Sequence, residues 1–175
     1  MVKIFDFENG ELVPTIHCET LKSLRAIKER YKKDYMQVYL YLHYMTSTNP
    51  DNNPFFNYKE YEKESKIFEQ LGDVKFSPED PEVVEGLRFL KEVYSTPISR
   101  AYEGAATALD NISEYLKETS ITDGRDGNIN QITNTLKNFE MIRKSFKGAY
   151  EDLMEEQKSS VRGGQKIAYD QQKYM

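Results

Sequence analysis

His17 and Cys18 are adjacent, and together they raise the question of a thiol–imidazole nucleophile. Such a pair needs spatial contact and a third group to orient the base. Neighbours in sequence generally point apart, and the second histidine, His43, lies in an aromatic run with no spacing shared with His17. Two histidines so placed make no zinc site. The turn from Thr122 to Thr133 carries Asp126, Gly127 and Ile129, which invites comparison with a calcium loop. That loop takes oxygen ligands at positions 1, 3, 5 and 12 and glycine at 6. With Gly127 at the sixth position, Thr122, Gly124 and Thr133 fall where carboxylates are needed, so the stretch reads as a plain loop ahead of a helix cap. Gly163-Gly164 is too short to cradle phosphate and follows a helix instead of opening one. The run Lys59–Lys66 alternates acids and bases and reads as a solvated helix face.

These negatives leave no catalytic residue, cofactor site or metal site to nominate, and the expectation is a protein that is not an enzyme. No GxSxG, HExxH, Walker or dinucleotide pattern is present. The chain has 175 residues, a formal charge of -5 and one cysteine. That excludes an internal disulfide and a cysteine-based zinc cluster. A phosphate-backbone binder needs clustered Lys and Arg, so no nucleic-acid partner is expected. The N-terminus lacks the apolar core of a signal peptide, and no apolar stretch approaches the ~20 residues that cross a bilayer. A soluble protein is expected, with no membrane partner. Tyrosine is abundant, at 13 residues against no tryptophan; it suits surfaces that meet other proteins, or the margins of helices.

The elements follow from periodicity and punctuation, and they read as an all-α bundle of about five helices. Ile4, Phe5 and Phe7, then Asn9-Gly10, then Leu12 and Val13 predict a hairpin or short arm over residues 1–18. Apolar residues from Leu21 to Met45 recur at steps of three and four, predicting one helix from about Glu19 to the Asn49-Pro50 stop. Asn57 and Glu60 suggest a capping box for a helix ending at Gly72. Ser77-Pro78 and Thr96-Pro97 each offer a cap followed by proline at the first helical position. The Thr96 helix is thin at Gly104, Ala105, Ala106 and Ala108, which permits close helix approach. A last helix runs from about Ile129 to Lys158. The expected organisation is one bundle over 19–160, with residues 161–175 as an extended tail. At ~3.3 Å per residue that tail reaches about 50 Å, enough to lie on a neighbour.

Four stretches carry a family resemblance. They are His43-Tyr44-Met45 leading into the 49–57 loop and Tyr58; Phe76-Ser77-Pro78-Glu79-Asp80 with Val83 and Val84; Thr96-Pro97 followed by Arg100, Ala105, Ala106, Ala108 and Leu109; and Val161-Arg162-Gly163-Gly164. In this order they resemble small virion proteins of tailed bacteriophages, especially crAss-like phages. The match spans most of residues 40–164, and residues 1–39 and the final segment add little. The resemblance implies a structural protein of the virion neck, the head–tail connector: a homo-oligomeric ring, dodecameric in the family, joining portal and capsid to the tail. Its implied partners are copies of itself, the portal and other neck or tail proteins. Arm and tail then supply the candidate interface residues: Phe5, Phe7, Arg100, Val161, Arg162, Gly163, Gly164, Tyr169 and Tyr174. The alternative reading is a small helical regulator, from a phage or its host, that binds one protein.

Overall fold

A computed structural model describes residues 3–122, 124 and 127–161, the last three by backbone alone. The protein is mostly helical, with a small two-stranded hairpin at its N-terminus. Strands β1 (Phe5–Glu8) and β2 (Glu11–Pro14) pair antiparallel, with Phe5 opposite Pro14 and Glu8 opposite Glu11. The two residues between them, Asn9 and Gly10, have φ of 54° and 85°. Positive φ at both positions matches the turn to the strand twist, which is why Asn-Gly is the strongest hairpin signal.

Seven helices follow among the described residues: α1 (Ile16–Thr20), α2 (Lys22–Tyr31), α3 (Tyr35–Thr46), α4 (Glu60–Leu71), α5 (Pro81–Tyr94), α6 (Pro97–Glu118) and α7 (Ile129–Val161). The chain divides after Ser95 into two compact units. In the first, α3 is central. Val38, Tyr39, Tyr41, Leu42, His43 and Tyr44 are all buried, so this helix is covered on every side. The abundant tyrosines are explained in part here. The Tyr39 hydroxyl donates to the Leu24 carbonyl at 2.8 Å, and that of Tyr41 donates to Glu64 at 2.8 Å. Each large ring is buried while its polar tip is satisfied. Gly86 on α5 lets two helices close over it: a Cβ there would lie 2.8 Å from Cδ1 of Ile27 on α2 and 3.1 Å from Cδ1 of Leu42 on α3.

The structure corrects several sequence expectations. The single helix foreseen from Glu19 is three helices, which raises the count from about five to seven. Its breaks fall at Leu21, which is extended, and at Lys32, where φ is +50°. The fold-back brings Ile27 and Leu42 together over Gly86, burial that a straight helix would forfeit. The hairpin is no free arm, since Ile4, Phe5 and Leu12 belong to the core of the first unit. Asn57 is not the N-cap residue; α4 starts after Lys59, whose side chain makes no cap bond. Ser77-Pro78 forms a turn and not a helix start. The Asp80 carboxylate accepts from the Ser77 amide at 3.0 Å, and Pro81 opens α5.

Thr96 behaves as its sequence context predicts. Its hydroxyl accepts from the Ser99 amide at 3.1 Å, and the Ser99 hydroxyl accepts from the Thr96 amide at 2.9 Å, closing a capping box with Pro97 in the first turn. It opens the second unit, in which α6 and α7 pack antiparallel. The Tyr102 ring lies 5.2 Å from that of Phe146 and 6.1 Å from that of Tyr150. The Thr96 hydroxyl also donates to Glu156 at 2.9 Å. At 33 residues α7 is about 50 Å long.

Candidate functional site

The nominated interface residues do not converge on one site. Phe5 is only 4% exposed and sits in the core of the first unit, its ring 5.4 Å from Tyr39 and 6.0 Å from His43. Phe7 is half-buried, with its ring 4.8 Å from that of His43. The alternation of β1 explains both: Phe5 and Phe7 share the face turned to α3, while Glu8 is exposed. Arg100 is exposed in the first turn of α6, its amide donating to the Thr96 carbonyl. Val161 is the last residue of α7. Arg162, Gly163, Gly164, Tyr169 and Tyr174 lie outside the described residues.

The first unit holds two polar features where chemistry would be sought. One is a pocket of about 330 Å³ lined by Pro14, Thr15, Ile16, Cys18, Glu19, Lys28, Tyr35 and Tyr39. Its cation is engaged: Lys28 lies 2.7 Å from Glu19 and 5.7 Å from the Tyr35 ring centroid. Its thiol is unsuited to attack. Cys18 is buried and donates to the Ile4 carbonyl at 3.2 Å, and loss of solvation pushes its pKa up to about 11. A nucleophilic cysteine needs the opposite shift. His17 therefore has no activated neighbour to serve.

The other feature is the loop after α3. Asn53 is fully buried; its amide donates to the carbonyls of Tyr44 at 2.8 Å and Ser47 at 2.5 Å, and its oxygen accepts from the Phe55 amide at 3.0 Å. His43 and Asn52 complete the cluster. These bonds fold residues 47–56 against α3. Sequence reading missed this cluster, because a run of asparagines and prolines signals a loop without saying which amide will be buried. In the second unit, Asn128 closes the turn before α7. Its side-chain oxygen accepts from the Thr122 amide at 2.9 Å, and the Thr122 hydroxyl accepts from the Asn128 amide at 3.2 Å. Thr122, the first position of the imagined calcium loop, is thus a loop latch. Among the described residues no group of three or more His, Cys, Asp or Glu could hold a metal ion, and no helix is long and apolar enough to cross a membrane.

What remains is surface. The second unit has few buried side chains among its described residues: Ser99, Tyr102, Ile132 and Leu153. Leu109, Ile112, Leu116, Phe139, Ile142 and Phe146 are only half-buried, and Tyr115, Ile129, Leu136 and Met141 are exposed. A pair of helices has one mutual seam and cannot bury more than that stripe of each. The α6–α7 pair thus leaves apolar surface for an external contact. Compared with known proteins, the chain matches no family model, no curated protein and no solved structure.

Proposed function

We propose that this chain is a non-catalytic structural protein of a tailed-phage virion, one subunit of a ring in the neck that joins portal and capsid to the tail. The observation that carries this reading is the half-buried apolar seam of α6 and α7, from Leu109 to Leu116 and from Phe139 to Phe146. A helical hairpin with so few enclosed side chains gains most by packing against further protein. The ordered motifs described above supply the family, and the net charge of -5 suits a channel wall that must not grip passing DNA. In this reading the partners are copies of the chain, twelve by the family's pattern, with the portal and other neck or tail proteins above and below. Residues 161–175 engage a neighbouring subunit.

Electron microscopy of the purified protein and of labelled virions tests the proposal. Closed rings in solution, and label at the neck, are expected. A discrete complex with a single host protein would replace this reading with that of a regulator. Deleting residues 161–175 should leave the helical content unchanged and prevent incorporation into virions; normal occupancy by the truncated chain would remove the role given to that segment.

A further inference from the structure

Two glycines in the second unit have no explanation among the described residues. Gly104 and Gly148 lie inside α6 and α7, where glycine weakens a helix relative to alanine. A Cβ added at either would meet nothing within 4 Å among the described residues, so neither is required by a described neighbour. Neither has the positive φ that would demand glycine.

Their positions are related. Tyr102 and Tyr150 face each other across the seam. Gly104 follows Tyr102 by two residues and Gly148 precedes Tyr150 by two. At roughly 100° per residue, each lies about 200° round its helix, on the outward side. The contacts Thr96–Glu156 and Tyr102–Tyr150 fix one antiparallel register, because each step forward on α6 is matched by a step back on α7. Gly104 and Gly148 therefore sit at one level, on opposite outer faces of the hairpin.

Charge follows the same levels. Arg100 precedes Tyr102 by two residues and Asp152 follows Tyr150 by two, so this pair is also outward and level, with opposite signs. Towards the loop end, exposed Glu114 on α6 lies within one residue of the level of exposed Lys137 on α7. Arg100 and Glu114 each also have an interaction of their own within the chain.

We infer that copies of this chain pack side by side in one orientation, the outer face of α6 from one copy against the outer face of α7 from the next. Gly104 then meets Gly148 of the second copy, and the absent side chains let the helices approach closely. Arg100 meets Asp152 and Glu114 meets Lys137. A different protein could use the glycines, but only a second copy makes the level-by-level match of charge follow from this sequence alone. The contact is head-to-tail, so it propagates into a ring wherever the rotation closes. The inference rests on the ring reading above and assigns the contact between copies to these outer faces, which leaves the half-buried seam to the other neck or tail proteins.

Sedimentation velocity and thermal melting of full-length Gly104→Leu and Gly148→Leu test it. Each should weaken association at least tenfold without lowering the melting temperature, since the space is open in the single chain. Cysteine mixing gives a second readout. In a Cys18→Ser background, Gly104→Cys and Gly148→Cys chains mixed under mild oxidation should form a linked pair that neither forms alone. Wild-type assembly by both leucine variants would overturn the inference and leave the ring reading standing. Linkage of Gly104→Cys chains to one another would overturn the head-to-tail contact. A wild-type chain that stays monomeric at all concentrations would overturn both.

Discussion

The Nε2 atom of His43 lies 3.2 Å from both the backbone and the side-chain oxygen of Asn52. Two acceptors on one nitrogen mean that Nε2 carries the hydrogen and donates it. Nδ1 is then the bare nitrogen, and it is buried without a partner. A proton there would place a charge among Phe5, Phe7 and Tyr44. Burial accordingly pushes the His43 pKa down to about 4, against 6.5 for the free side chain.

The sign of the pH dependence follows. The unfolded chain takes up a proton below pH 6.5 that the folded chain refuses until about pH 4. The stability tied to neutral His43 is therefore complete above pH 6.5 and is lost as pH falls through the folded value, by about 3 kcal/mol for a shift of this size. Urea melts at pH 7, 6 and 5 should show the fall. His43→Gln, which keeps a donor for Asn52 but no titrating ring, should flatten it.

Asn53 bonds three backbone groups at once, and the α3–α4 connection depends on it. Asn53→Ala leaves two carbonyls and one amide without their partner in a site closed to water. A loss of about 3 kcal/mol is expected, read as a lower urea midpoint at unchanged slope. Asn53→Asp should be little better, since it cannot donate to either carbonyl.

Gly86 can be tested by a pair of changes. Gly86→Ala should cost about 1 kcal/mol, because overpacking against Ile27 and Leu42 outweighs the gain in helix propensity. Ile27→Val removes the Cδ1 methyl nearest the new Cβ. In the double variant the two penalties should partly cancel, and a double-mutant cycle measures that coupling. Strict additivity would mean that α2 and α5 do not meet there.

Cys18 should resist alkylation. At pH 8 a buried thiol with its pKa near 11 exposes almost no thiolate. Iodoacetamide should label the native chain far more slowly than the urea-unfolded chain, at least a hundredfold by mass spectrometry. Rapid native labelling would show that the hairpin opens away from α1.

Much of this fold is legible in the sequence where local chemistry decides. Asn9-Gly10 announces its turn because few residue pairs accept positive φ at both positions. Thr96-Pro97 announces α6 because cap, proline and Ser99 act within one turn. The break after Tyr31 is not legible. Tyr31, Tyr35 and Val38 keep helical spacing straight through it, and the residue with positive φ is a lysine, not glycine or asparagine. Only the packing of Ile27 and Leu42 over Gly86 decides that the chain turns back. Phe5 is similar: its face alternates as a hairpin should, but what covers that face is α3, a partner some thirty residues away. The surface on α6 and α7 was half-visible as a run of small residues, and only the register given by Tyr102 and Tyr150 sets the two glycines level.

The division after Ser95 carries a consequence for how the protein is made. The core cluster of the first unit, from Ile4 to Tyr94, contains no described side chain of α6 or α7. Every side chain of that cluster has been synthesised before Thr96 is added. It can close during translation, while the hairpin that bears the exposed apolar seam is still being made. The hairpin that bears the apolar seam is thus produced after the first unit, whose core can already be closed.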